Sequence, residues 1–177
     1  MSAVVGIDPG KRGAVVALDL DGHVVRAVAA DRRPDGYCPD DYLPGRMAEA
    51  LRGLDARLVV VERQGAHPKE GRTSCLTTGR GQGLWEGLCA GLGLPHRLVQ
   101  PAVWRRALGV PVGTADRKAG VVELVDRRLP DLELVLPGRR TLHDGLADAG
   151  GLALYALREW LGETNGRGGA SFAATLG

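Results

Sequence analysis

Two short apolar runs, residues 3–8 (AVVGID) and 58–62 (LVVVE), each finish on a carboxylate. An unbroken run of this kind reads as a buried strand, covered by other elements, and not as a half-exposed one. A carboxylate that completes it must find a charge partner. The segments between and after these runs set the rest. Pro9-Gly10 breaks the first run, 13–18 resumes a β-rich stretch, and Asp21-Gly22 has the residues of a hairpin turn, so three strands open the chain as a meander. Apolar residues at 47, 50, 51 and 54 predict a helix over 44–54, and 58–62 is a fourth strand. Thr73 or Ser74 can cap a helix running to about residue 92. A short strand over 95–99, a helical turn over 101–108, a helix over 114–129 stopped by Pro130, and a last helix over 143–160 follow. Strands first and helices late predict an α/β fold with a mixed five-stranded sheet, three antiparallel strands and then two parallel ones, flanked by helices.

A chain of 177 residues has room for one such domain, placed at 1–161, and 162–177 (GETNGRGGASFAATLG) reads as a flexible tail. With 44% hydrophobic and 25% charged residues, disordered, collagen-like and coiled-coil classes are excluded. The net charge of +2 by itself favours no nucleic acid, so the distribution of the arginines matters more than the total. Cys38, Cys75 and Cys89 have neither CxxC spacing nor nearby histidines, which points to a reducing compartment. No signal peptide and no long apolar stretch is evident, so the expected location is cytoplasmic, in a bacterial cell or a phage-infected host, without membrane association.

The acidic residues carry the chemistry. Asp8 and Glu62 end strands that, as neighbours, would stand side by side. Asp144 and Asp148 open the last helix at i, i+4 on one face. Such a cluster repels itself unless cations neutralise it. Oxygen-only ligands suit Mg²⁺ or Mn²⁺, and a pair of such ions suits in-line phosphodiester hydrolysis. Each residue also has a plainer reading: Asp8 as a turn residue before Pro-Gly, Glu62 as the partner of an arginine, Asp144 as the complement of a helix N-terminus. The case rests on the set.

With those residues goes an ordered series of motifs: GIDPGKRGAVVAL (6–18), VVVERQ (59–64), the glycine-stepped TTGRGQGLWEGLCAGLGLP, then QPAVWRRALGV and HDGLADAGGLALYAL. Over residues 3–160 this series resembles the RuvC family of Holliday junction resolvases, in particular its phage-type branch. The resemblance implies an RNase H-like fold and a homodimer that nicks four-way DNA junctions with two Mg²⁺ ions per site, Mn²⁺ substituting. It places the catalytic metal ligands at Asp8, Glu62 and Asp148. Cellular members of the family carry an acidic or histidine residue three positions before the last Asp, where this sequence has Gly145, but phage-like members carry Asp-Gly ahead of the Ala-acid-Ala unit, so the resemblance implies Asp144 as the remaining acidic ligand. His143 is a reserve for proton handling or a solvated helix-start residue. Lys69, Arg72, Arg80, Arg105, Arg106, Arg117 and Lys118 are candidates for holding DNA phosphates. The family's functional lysine falls on Lys118 or Arg117, with Lys118 favoured. Residues 65–72 lack an aromatic wedge, leaving only His67 to stack.

Gly79, Gly83, Gly87 and Gly91 recur on one helical face beside Leu84 and Leu88. Interior glycines weaken a helix by about 1 kcal/mol each against alanine, so close approach to another backbone is expected. In the resembled family that approach is the dimer interface; packing on the chain's own sheet is the other reading. Alternatives of function are a nuclease for other branched DNA or for RNA, an actin-like kinase using Asp8-Pro9-Gly10 as a phosphate loop, and a non-catalytic junction-binding protein. The kinase fold needs two such domains, and a binding protein has no use for four carboxylates.

Overall fold

A computed structural model describes residues 1–30, 42–65, 71–110 and 117–164. Five strands form one sheet: β1 (Ser2–Asp8), β2 (Ala14–Asp19), β3 (Val24–Ala29), β4 (Asp55–Glu62) and β5 (His96–Val99), in the order β3-β2-β1-β4-β5. β1 pairs antiparallel with β2, and β2 with β3, whereas β4 runs parallel to β1 and β5 parallel to β4. The expected α/β architecture is borne out, with the meander turning at Gly22, whose φ of +95° suits a residue without a Cβ.

The helices are α1 (Pro44–Leu51), α2 (Arg72–Gly91), α3 (Pro101–Ala107), α4 (Arg117–Arg128) and α5 (Asp144–Thr164). Strand periodicity divides the core in two. Val4, Val16, Leu58 and Val60 pack with α4, α5 and Trp104 of α3. Val5, Ile7, Val59 and Val61 turn to the other face, against Met47 of α1 and Trp85 of α2. The central strands are thus covered on both sides, which is why their sequences are apolar without alternation.

Several ends differ from the sequence reading. α1 stops at Leu51, three residues early, and the chain turns through Gly53 at φ +75°. α2 begins at Arg72 after Gly71, with no side-chain cap, so Thr73 and Ser74 lie inside the helix instead of capping it. α5 continues to Thr164, and residues 165–177 lie outside the described residues. None of the helices, among the described residues, is long and apolar enough to cross a membrane.

Candidate active site

β1 and β4 run in parallel with Ile7 opposite Val61, so the next residues, Asp8 and Glu62, emerge together at the C-terminal end of the sheet. Both fall in the strand phase of Val4 and Val60, the phase that faces α5 and α3. α5 reaches this end because Gly6 lets it. A Cβ on Gly6 would lie 2.2 Å from the Ala149 carbonyl oxygen and 2.3 Å from the Ala153 nitrogen. Its first turn sits equally close above the β1–β2 turn, where a Cβ on Gly145 would be 2.2 Å from the Arg12 carbonyl oxygen. Asp148, one residue before Ala149, is thereby brought to the two strand-end carboxylates.

Each acid is held. The Gly10 N–H donates to Asp8 Oδ1 at 3.1 Å. Tyr42, buried on the opposite side of that turn, donates its hydroxyl to the Pro9 carbonyl at 2.9 Å. Glu62 Oε1 accepts from Trp104 Nε1 at 3.0 Å, and Glu62 Oε2 from Gln64 Nε2 at 3.1 Å. Gln64 is itself fixed: its backbone N–H donates to Gln82 Oε1 of α2 at 2.8 Å, and Gln82 in turn donates to Glu86 Oε1 at 2.8 Å. A side-chain chain thus ties the metal-ligand candidate on β4 to the middle of α2.

Arg105 enters the cluster as its cation. Its Nη2 lies 3.4 Å from Glu62 Oε1 and 3.3 Å from Asp148 Oδ1, and its guanidinium stacks 4.7 Å from the centre of the Trp104 ring. The negative charges still dominate. Burial, then the Glu62 and Asp148 charges, raise the Asp8 carboxyl to about 7 against the pull of the Gly10 N–H and Arg105. Glu62 is raised as well, first by burial and then by Asp148, with Trp104, Arg105 and Gln64 opposing. Buried carboxylates pushed upward by one another are the arrangement a divalent cation relieves. The donors are all oxygens, which fits Mg²⁺ or Mn²⁺. Among the described residues, however, no three acidic, histidine or cysteine side chains close on one point, and Arg105 stands between two of them.

Asp144 is exposed in the first turn of α5, one helical turn before Asp148. His143 serves as the cap of α5, its Nδ1 accepting the Leu146 N–H at 3.1 Å. Arg72, Arg80 and Arg106 are exposed. Lys69 and His67 lie outside the described residues, as do the side chains of Arg117 and Lys118. Trp104, Gln64, Gln82 and Tyr42 also shape the site, and nothing in the sequence alone marks Gln64, Gln82 or Tyr42 as site residues. Only the Trp104-Arg105 pair offered a signal, an aromatic beside a cation just after a strand.

The glycine face of α2 is open: Gly79, Gly83, Gly87 and Gly91 are exposed, with nothing within 4 Å of a Cβ built on any of them. Packing of that stripe on the chain's own sheet is therefore ruled out. The close approach on α2 is at Gly81, where a Cβ would be 2.2 Å from the Tyr42 hydroxyl. Leu84 and Leu88 are half-buried against the core.

No family model and no curated protein matches the sequence. Solved structures do. RuvC of Thermus thermophilus in complex with a Holliday junction substrate superposes with a TM-score of 0.64 at 20% identity, over 92% of this chain and 97% of the other. A second Thermus thermophilus RuvC structure gives 0.62 at 22% identity, over 90% and 96%. The yeast mitochondrial Holliday junction resolvase gives 0.56 at 17% identity, over 94% and 82%. The likeness read from the motifs is matched across nearly the whole chain, and the fold is the RNase H-like fold of RuvC.

Proposed function

We propose that this protein is a Holliday junction resolvase, a structure-selective endonuclease that hydrolyses phosphodiester bonds of branched DNA. The observation that carries the reading is the convergence of Asp8, Glu62 and Asp148 from β1, β4 and α5 at one end of the sheet. Its support from outside the chain is the shared fold with RuvC solved on a junction.

A pair of Mg²⁺ ions, or Mn²⁺, supplies positive charge for the attacking and leaving oxygens when bound. Asp8, Glu62 and Asp148 would hold those ions, and Asp144, one turn from Asp148 on α5, would complete the set from the exposed rim. Trp104 and Gln64 fix the orientation of the Glu62 carboxylate by donating to its two oxygens. Glu62 is buried and Asp8 and Asp148 are only partly exposed, so the charges of these three act at a lower effective dielectric than in water. The exposed Arg72, Arg80 and Arg106, with Lys69, Arg117 and Lys118, hold the phosphates of the junction arms. The open glycine face of α2, with Leu84 and Leu88 at its edge, is the surface on which two copies pair. A two-fold dimer presents two sites to two equivalent strands.

The test is Mg²⁺-dependent cleavage of an end-labelled four-way junction beside flaps, forks and duplex RNA, with the nicks mapped. Paired nicks in the junction are expected, with Asp8→Asn and Asp148→Asn binding the junction but leaving it uncut. Cleavage by either variant at the wild-type rate refutes the site, and preference for flaps or RNA refutes the substrate.

A further inference from the structure

Arg105 is only partly accounted for by phosphate binding, because it points inward. Its side chain is 16% exposed, against an exposed Arg106 next to it, and its Nη2 spans Glu62 and Asp148. Both contacts are long for charge-assisted hydrogen bonds, which favour about 2.7–2.9 Å. Its Nε is buried and has no hydrogen-bond partner among the described residues. An arginine that gives up one donor and holds two carboxylates at arm's length is placed by the field of the cluster, not by a close fit. The Trp104 ring supports the guanidinium from one side and offers it no hydrogen bond.

The position matters because it lies between ligands assigned to the metal. With Arg105 there, the acids do not close on one point. We infer that Arg105 is the internal counter-cation of the metal-free protein, and that it competes with divalent ions for the space between Glu62 and Asp148, leaving it when they bind. The inference rests on the divalent-metal reading of the site. One cation is exchanged for another: the guanidinium bridges Glu62 and Asp148 while no ion is present, and its departure would leave an oxygen-lined gap suited to a divalent ion of greater charge. Metal affinity is therefore set partly by a residue that is not a ligand.

The experiment uses the full chain without DNA. Metal-stripped wild type, Arg105→Met and Arg105→Gln are titrated with Mn²⁺, free Mn²⁺ being read by electron paramagnetic resonance, and each is melted with and without Mn²⁺. Arg105→Met is expected to bind Mn²⁺ about tenfold more tightly than wild type, the change that loss of one competing charged hydrogen bond corresponds to. Without metal it is expected to melt lower at pH 8, and to gain more from saturating Mn²⁺ than wild type gains. Arg105→Gln keeps a donor for the carboxylates and decides the matter if the methionine variant does not fold; its affinity is expected to move the same way. Equal or weaker Mn²⁺ binding by the folded variants, with wild type binding normally, overturns the competition. Absence of Mn²⁺ binding in all three overturns instead the metal reading on which it rests.

Discussion

Replacing Asp8 by asparagine is expected to stabilise the metal-free protein while abolishing its chemistry. The native carboxyl is raised from an ordinary 3.8 to about 7, chiefly by burial and by Glu62 and Asp148. The folded protein thus holds this proton more tightly than the unfolded chain does, and stability falls as the pH rises from 3.8 toward 7. The full penalty, reached above pH 7, corresponds to about 4 kcal/mol as an upper bound. Relaxation and entering water reduce it, so a net gain of about 1–3 kcal/mol is expected for Asp8→Asn at pH 8. Asparagine keeps an oxygen for the Gly10 N–H, so the turn is not sacrificed. In a domain of this size the gain corresponds to about 3–10 °C in Tm. The assay is thermal unfolding in EDTA at pH 5 and pH 8. At pH 5 only about two-fifths of the penalty is present, so the advantage of the variant must shrink there. Saturating Mn²⁺ must reverse the order, stabilising wild type and not Asp8→Asn. A variant no more stable than wild type at pH 8, or one with an equal gain at both pH values, refutes the reasoning.

Trp104→Phe removes the buried donor to Glu62 while retaining a ring under Arg105; a loss of about 1.5–3 kcal/mol in transition-state stabilisation is expected, seen as a fall in the single-turnover cleavage rate with junction affinity nearly unchanged. Gly6→Ala drives a methyl into the backbone of α5 and is expected to cost about 3 kcal/mol or more, measured by denaturant unfolding; a wild-type midpoint would contradict the close approach at Ala149. Gly83→Glu has open space for its side chain and a better helix former in place of glycine, so the subunit is expected to stay folded while sedimentation shows it as a monomer; an intact dimer would move the interface elsewhere.

What the sequence made legible was carried by local patterns. The β-branched runs, Pro9-Gly10 and Asp21-Gly22 punctuate strands without help from tertiary contacts, and parallel pairing of the two buried runs then brings Asp8 beside Glu62. Asp148 is legible for the same reason, since the small residues after it permit close packing: Ala149 meets Gly6 of β1, while Gly150 and Gly151 meet Val125, Leu132 and Trp104. Arg105 and Arg106 were not separable. Adjacent helical residues differ by about 100° in direction, so one reaches the acids and the other reaches solvent, and nothing in the dipeptide says which. Gln82 was invisible for a different reason: its partner is the backbone of Gln64 in a distant loop, and only the packing of α2 makes the pair. The start of α2 misled because Thr73 and Ser74 are good caps in isolation, yet the helix begins one residue before Thr73 without any side-chain cap.

Among the described glycines, two groups have opposite steric meanings. At Gly6, Gly13 and Gly145 a single added carbon would meet backbone atoms at 2.0–2.2 Å. The Gly6 and Gly145 contacts fix the height of α5 over β1 and over the turn that follows Asp8, the Gly13 contact closes that turn on the Asp8 carbonyl, and together they fix where Asp148 stands relative to Asp8. The acids of the site are placed by residues that have no side chain. At Gly79, Gly83, Gly87 and Gly91 nothing lies within 4 Å, so the same residue type secures no contact among the described residues. Four weak helix formers in a row on an exposed face lower the stability of α2 without any return from the chain's own packing. In the dimer proposed above the stripe would have its counterpart outside the subunit, and Gln82, between Gly79 and Gly83 on the same helix, would link that contact to Glu62 through Gln64.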